Sequence, residues 1–295
     1  KEGAVKRLKG ERLLRTYYHD GLRGLRLTAT SKRLLLADQP ALFSDTFIGH
    51  TVTNTPKYTV PHRIRLHRMA EVLVTMYQSG IPSFPWEKSA VFQPTPLPAG
   101  AFASLPAYYS SREVKEIGPQ SSKIRGSRST GVLLSDAGIF IVYNTAASKI
   151  KWEYKAELRL KALLQIELCQ QRLAAQFAGS SVNAVVFGQG IEPLEYLMGP
   201  GDAGTRNYFV LDGNFEHFYY LTSDHYGEVM LRLLFDKELK ATLDTILSED
   251  LLPRDQHCPV EHDALDPAGT PVLFAYLGDM PRIRRFDTAL ELHER

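Results

Sequence analysis

The sequence has 295 residues, of which 44% are hydrophobic and 23% are charged, with a formal net charge of +2. This composition is typical of a globular protein with room for two ordinary domains. No run of 18 uncharged apolar residues occurs, which excludes a membrane-spanning helix. The two cysteines, Cys169 and Cys258, argue against a disulfide scaffold and favour the cytoplasm.

Positive charge is concentrated at the start of the chain. Residues 1–34 contain ten Lys or Arg against three acids, a net of +7, so residues 35–295 carry −5 of the total of +2. A domain that contacts phosphate shows such an excess, and a solvated basic surface gives the same count. The structural elements beneath the charge favour the first interpretation.

The first predicted elements are a helix, a hairpin and a second helix. An apolar stripe from Ala4 indicates the first helix, and strand-forming residues flank Asp20-Gly21, a dipeptide typical of tight hairpins. Thr28 or Thr30 can cap the next helix. This order resembles the latter half of a winged helix-turn-helix DNA-binding domain, and an ordinary α+β edge is the alternative.

In a winged helix, the first of these helices enters the major groove and the hairpin contacts the DNA backbone or the minor groove. The pattern therefore predicts that the chain binds double-stranded DNA through the cations of this segment. These cations are Lys6, Arg7, Lys9, Arg12, Arg15, Arg23 and Arg26.

We expect a mixed α+β fold in two domains. A partial winged helix-turn-helix with a supporting helix covers residues 1–80, a proline-rich extended connection covers 81–105, and an α/β domain with a mixed sheet covers 106–295. The supporting helix begins near Pro61, and the cations in its first turns oppose the helix dipole. That cost predicts a partner for them, either phosphate or acidic groups elsewhere in the protein, unless they remain in solvent.

A nuclease-like pattern lies in the middle of the chain. The segments "GVLLS" and "IFIVYN" predict strands on either side of Asp136, and "KIKWEYK" is either a third strand or the opening of a long helix. With three strands, the order α-β-β-β-α-β resembles the core of the PD-(D/E)xK nuclease superfamily. In such a site Mg²⁺ is held by an Asp at the opening of the second strand and an acid on the third, and a Lys orients the attacking water.

The candidate catalytic residues in this frame are Asp136, Glu153 and Lys155. If residues 151–157 are helical, Glu153 and Glu157 form an acidic pair beside Lys155 instead. We expect the helical alternative, with Lys155 and Glu157 paired on the surface and no working metal site.

The wing segment, the proline-rich connection and "GVLLSDAGIFIVYN…KWEYKAELR" together resemble the replication-relaxation proteins of bacterial plasmids and integrative conjugative elements. The resemblance implies winged-helix DNA binding, a PD-(D/E)xK-like domain with a degenerate active site, and relaxase or replication proteins as partners. It implies an accessory or regulatory protein of a mobile genetic element, acting in replication, transfer or transcription control. A homodimer is a further candidate partner, because winged-helix proteins often read paired half-sites. The alternatives are a Mg²⁺-dependent DNA endonuclease and a protein-interaction module that does not bind DNA.

The last third of the chain predicts further strands at "NYFVLDG", "EHFYYLTSD" and "TPVLFAYLGD", and one helix over residues 227–250. Asp224 is expected to cap that helix rather than to bind a metal. The segment "HCPVEHD" is expected to be a loop rather than a zinc site, because a second ligand-bearing segment is absent. Arg282, Arg284 and Arg285 are candidates for a lesser phosphate contact.

Overall fold

The chain, seen in a computed structural model, is described for residues 2–47, 59–147, 154–194 and 214–293. It divides into two units, residues 1–67 and 68–295. The fold is mixed, with a two-stranded sheet in the first unit and a mixed sheet of five described strands in the second. None of the described helices is both long and apolar enough to cross a membrane.

The first unit contains a helix, a hairpin and further helices. Its elements are α1 (Glu2–Gly10), β1 (Leu14–His19), β2 (Leu22–Leu27), α2 (Ala29–Asp38), α3 (Pro40–Phe47) and the first turns of α4 (Val60–Gln78). Asp20 and Gly21 join β1 to β2 with φ angles of 49° and 73°, the positive values that a tight two-residue hairpin turn requires. The predicted order of helix, strand, Asp-Gly turn, strand and helix is confirmed.

Thr28 caps α2 and ties it to the end of α1. Its Oγ1 accepts a hydrogen bond from the Ser31 amide at 3.2 Å and donates one to the Arg12 carbonyl at 2.9 Å. The buried Ser31 hydroxyl donates to the Leu13 carbonyl, which also accepts from the Thr28 amide at 3.1 Å. Of the two predicted caps, Thr28 is confirmed, and its bonds fix the ends of the hairpin between the two helices.

The second unit is built around a sheet in the order β3–β4–β5–β6–β7. After the rest of α4, its elements are β3 (Ala107–Ser110), α5 (Ser111–Val114), β4 (Gly131–Ser135), β5 (Gly138–Ala146), α6 (Tyr154–Leu164, continued by a π-helix over Gln165–Arg172), α7 (Ala174–Phe177), β6 (Val182–Gly188), β7 (Phe218–Thr222), α8 (His225–Phe235), α9 (Lys237–Leu247), the short strands β8 (Leu252–Pro253), β9 (Ala264–Leu265) and β10 (Pro271–Val272), and α10 (Met280–His293). The pairs β3–β4 and β4–β5 are antiparallel, and β5–β6 and β6–β7 are parallel.

Helices cover both faces of this sheet. One buried cluster joins side chains of one sheet face to α6 and its π-helical continuation, including Leu134, Ile141, Val186, Leu160 and Leu164. The other joins the opposite face to α4 and α8, including Leu133, Val142, Val185, Met76 and Leu231. Strands buried on both faces read as continuous apolar runs, which is why "GVLLS", "IFIVYN" and "VNAVVFG" were recognisable in the sequence.

Three features differ from the sequence predictions. Strand β3 was not predicted, and of the strand predicted over 270–279 only Pro271–Val272 forms a strand. Tyr154 and Lys155 begin α6, which is the helical alternative expected for residues 151–157. The helix predicted over 227–250 is two helices, because Asp236 ends α8 and caps α9 by accepting from the Leu239 amide at 2.9 Å. The cap at Asp224 is confirmed, and the strand predicted over 207–213 lies outside the described residues.

The proline-rich segment at 81–105 packs into the second unit. Ile81, Val91 and Phe92 are each at most 3% exposed and belong to its core. The Leu105–Pro106 peptide at its end is cis. The segment therefore contributes to the buried interior around the sheet, although it has little regular structure.

Glu157 is buried, contrary to the expected surface pair with Lys155. Its side chain is 1% exposed, and it accepts hydrogen bonds from the Ser127 hydroxyl at 2.9 Å, the Arg128 amide at 2.6 Å and the Tyr143 hydroxyl at 2.9 Å. Lys155 is exposed. Burial raises the pKa of Glu157, and the three hydrogen bonds oppose that rise only in part. The residue links the start of α6 to β5 and to the loop before β4.

The raised pKa of Glu157 predicts a pH-dependent difference between the protein and its Glu157→Gln variant. A raised folded-state pKa contributes stability below the unfolded value of about 4.3, and this stability is lost as pH rises through the folded pKa. Glutamine does not titrate, so the variant should gain stability relative to the parent over that window. Denaturant unfolding at a series of pH values measures the difference, and a difference independent of pH would contradict the assignment.

Candidate nucleic-acid interface

One face of the hairpin of β1 and β2, called the open face below, carries the exposed side chains of Tyr18, Arg23 and Leu25. Tyr18 and Arg23 are directly opposed in the register, next to the turn. Both are exposed, Tyr18 to 72%, and Leu25 on the same face is 47% exposed. Guanidinium groups bind phosphate, and apolar or aromatic side chains can enter a groove, so this face has the chemistry of a nucleic-acid contact.

The opposite face of the hairpin concentrates positive charge around Tyr17. Arg15 and Arg26 are directly opposed there, and Tyr17 is opposed to Gly24. A Cβ at Gly24 would lie 2.5 Å from the Tyr17 ring, so the glycine leaves room for the ring to lie across the hairpin. The Arg26 guanidinium lies 6.0 Å from the ring centroid. Burial lowers the pKa of Arg26, and the neighbouring charge of Arg15 lowers it further.

Arg63, near the start of α4, holds the hairpin turn on this second face. It is 3% exposed and donates to the His19 carbonyl at 2.9 Å and to the Leu22 carbonyl at 3.2 Å. Its guanidinium lies 3.7 Å from the Asp20 carboxylate and 5.6 Å from the centroid of the Tyr17 ring. For this α4 cation, the partners are strand-end carbonyls and the Asp20 carboxylate, where the sequence predicted phosphate or acidic groups.

Helix α1 presents cations to solvent. Lys6 and Arg7 are exposed, and Arg7 forms an exposed ion pair with Glu11 at 3.5 Å. Lys9 is half-buried, and Arg12 is exposed just after the helix at a φ of 58°. The last turn of α1 contains Arg7 and Lys9, where the helix dipole favours positive charge.

The seven predicted DNA-binding cations therefore fall in three places. Lys6, Arg7, Lys9 and Arg12 lie on or beside α1, Arg23 lies on the open face of the hairpin, and Arg15 and Arg26 lie on the face that Arg63 braces. Sequence reasoning missed Arg63 and Tyr18. The alternation of side chains along β1 could have separated the two faces, whereas no local signal identifies Arg63 as the brace.

The candidate nuclease residues are not brought together in the described residues. Asp136 is exposed in the turn before β5, Lys155 is exposed in the first turn of α6, and Glu153 lies outside the described residues. Strand β5 spans about 26 Å at about 3.3 Å per residue. Glu157, two residues after Lys155, bonds to Tyr143 in the second half of β5. Lys155 therefore lies toward the carboxy-terminal end of β5, whereas Asp136 lies just before its amino-terminal end.

No metal-binding group is found among the described residues, where no cluster of three or more His, Cys, Asp and Glu side chains has a suitable arrangement. The "HCPVEHD" segment is a loop, as predicted. Its His262 is 1% exposed, with Nδ1 donating to the Val260 carbonyl at 2.7 Å and Nε2 accepting from the Asp255 amide at 3.2 Å. Both ring nitrogens of His262 are thus hydrogen-bonded to the backbone of the same loop.

The chain matches no protein-family model, no curated protein and no solved structure. The interface is therefore interpreted from its own residues.

Replacing Arg63 by Met should loosen the hairpin. The change removes two hydrogen bonds from a buried cation to strand-end carbonyls, a loss of about 2 kcal/mol. Native-state hydrogen exchange of the hairpin amides should accelerate about 30-fold if they exchange through this opening. Arg33→Met, which removes an exposed cation of α2, is the matched control. Equal exchange in the two variants would show that Arg63 does not brace the turn.

Proposed function

We propose that the first unit binds double-stranded DNA in the manner of a winged helix, with α1 in the major groove and the hairpin on the backbone or minor groove. The observation that carries the proposal is the exposure of Lys6 and Arg7 on a helix whose following turn, at Arg12 and Leu13, is hydrogen-bonded to the start of α2. A recognition element needs such a fixed support, because base and phosphate contacts depend on orientation.

The hairpin contributes through its open face. Arg23 supplies a phosphate contact and Tyr18 supplies a ring that can enter the minor groove or pack on a sugar. Arg15 and Arg26 act at longer range, because their face is occupied by Tyr17 and Arg63 and both are half-buried. They raise the local positive potential that steers DNA to the unit.

For the second unit we propose a nuclease-like frame that does not cut DNA. The order α4, β3, α5, β4, β5, α6, α7, β6 supports this frame, because it contains the expected α-β-β-β-α-β order, with β3 as the first strand, once the four-residue helices α5 and α7 are set aside. The metal ligands of such a frame belong on its second and third strands. Here those strands are β4 and β5, with the sequences GVLLS and GIFIVYNTA, which contain no Asp, Glu or Lys.

A DNA-binding unit joined to such a frame supports an accessory or regulatory role on a bacterial mobile genetic element, in replication, transfer or transcription control. Relaxase or replication proteins, and a second copy of the chain, are the proposed protein partners. Gene context tests this role directly. Neighbouring genes for conjugation, a relaxase or replication would support it, and a neighbourhood of metabolic genes would count against it.

The DNA-binding proposal predicts a specific change in salt dependence. The double variant Lys6→Ala, Arg7→Ala should bind duplex DNA more weakly, and the slope of log affinity against log salt should fall by about 1.8, or about 0.9 for each lost phosphate contact. Fluorescence anisotropy titrations of a labelled duplex at several salt concentrations measure both quantities.

The matched control is Lys237→Ala, Arg254→Ala, which removes the same charge from exposed positions of the second unit. Equal losses in the two double variants would indicate nonspecific attraction to net charge. Unchanged affinity and slope in the α1 variant would instead favour an interaction module that does not bind DNA, and a protein partner would then be sought by pull-down.

A further inference from the structure

A cavity of about 240 Å³ opens beside the edge strand β7 of the second unit. Its wall is formed by the start of β7, by α9, by the loop before β9, by the segment after β10, and by the start of α10. An isolated bridge between Tyr219 and Asp279 and the bond from the Tyr220 amide to the Gly278 carbonyl, at 2.9 Å, hold the start of α10 against β7. No residue of this cavity belongs to the proposed DNA interface or to the nuclease-like triplet.

Every carboxylate oxygen in the cavity wall accepts a hydrogen bond from the protein itself. The four acids and their donors are Asp244 with Lys240 and the Tyr276 hydroxyl, Asp263 with Arg282 and the Phe274 amide, Glu261 with Arg282 and Arg285, and Asp279 with His217 and the Phe218 amide. The distances run from 2.6 Å for Lys240 to 3.3 Å for the Phe218 amide. The charged side chains of the wall thus form hydrogen bonds and ion pairs with one another.

Two side chains of the wall, His217 and Tyr219, each keep a polar atom that is unpaired within the described ranges. His217 Nδ1 bonds to the Asp279 carboxylate at 2.8 Å, which leaves Nε2 without a partner among the described residues. The Tyr219 hydroxyl likewise has no hydrogen-bond partner in the described part of the chain. The two rings stack with centroids 5.9 Å apart and an angle of 15°, so these two atoms belong to neighbouring, parallel rings.

The chemistry of the wall excludes two ligand classes. A metal ion finds no suitable cluster of ligands among the described residues. A phosphate or another multiply charged anion would meet four acids against two cations, Lys240 and Arg282, or three when His217 is protonated. A neutral ligand that forms hydrogen bonds with His217 and Tyr219 avoids this repulsion.

The volume of the cavity and the apolar part of its wall restrict the neutral ligand further. Leu273, Phe274 and Ile283 give the cavity an apolar side, which suits the face of a flat ring. Its volume is below the range of roughly 300–1,000 Å³ that holds drug-sized ligands. We infer that this cavity binds a nucleobase, with its ring on the apolar side and its polar edge hydrogen-bonded to His217 Nε2 and the Tyr219 hydroxyl.

His217 can bond to either a donor or an acceptor group of a base. The hydrogen bond with Asp279 raises the pKa of His217, and burial opposes that rise. Neutral His217 accepts at Nε2 and protonated His217 donates there, and the Tyr219 hydroxyl can do either. The base can come from a free nucleoside or from an unpaired base of a nucleic-acid strand, and the chemistry at these two atoms is the same in both cases.

The test is calorimetric titration of the full chain with adenosine, guanosine, cytidine and thymidine, and with a short single-stranded oligonucleotide of mixed sequence. We expect saturable binding of at least one of these probes, with a change in the NMR signals of the His217 ring. Tyr219→Phe keeps the ring and removes only the hydroxyl, so it should weaken binding about five-fold, the value of a typical hydrogen bond. His217→Gln should weaken it to a similar extent.

Matched controls lie on α8, where Tyr226 and His225 are exposed and outside the cavity. Tyr226→Phe and His225→Gln should leave binding unchanged. Binding of a nucleoside identifies the free ligand as the source, and binding of the oligonucleotide alone, weakened by Tyr219→Phe, identifies the strand. The inference is overturned if no probe binds, or if Tyr219→Phe binds as tightly as Tyr226→Phe.

Discussion

The parallel pairing of β5 with β6 is the contact on which the second unit depends. Both strands are buried along most of their length, and Val142 faces Val185 in the middle of the pair. A parallel pair requires a crossover, which here includes α6 and its π-helical continuation, and the same helix covers one face of the sheet. Glu157 ties the start of that helix to Tyr143 of β5, so the pairing and its cover are fixed together.

The first unit relies on polar contacts instead. Among its described side chains, those classed as buried are Ser31 and Arg63, and both act by donating hydrogen bonds to backbone carbonyls of the hairpin or its ends. A unit with so little apolar burial gains little from the hydrophobic effect. The proposed binding to DNA would therefore add to its stability, because a ligand that binds only the folded form stabilises it by mass action.

The sequence predicted those features that depend on contacts between residues close together in the chain. The Asp20-Gly21 turn, the caps at Thr28 and Asp224 and the strands of the buried sheet depend on residues next to each other in the chain. Strand β3, the brace formed by Arg63 and the burial of Glu157 depend on partners far away in sequence. Arg63 reaches carbonyls 41 and 44 positions earlier, and Glu157 meets donors 14 to 30 positions away, so no window of neighbouring residues contains the cause.

The uneven charge of the chain has a structural explanation in the two units. The cations of α1 and of the open hairpin face are exposed to solvent. Acids of the second unit, in contrast, accept hydrogen bonds within the wall of the cavity beside β7. The two proposed sites should therefore respond differently to salt. Contacts with a polyanion weaken steeply as salt rises, because bound counterions are released on association. A neutral base held by two hydrogen bonds releases no counterions, so its affinity should change little over the same range. Salt titration of each ligand thus separates the two sites without any substitution.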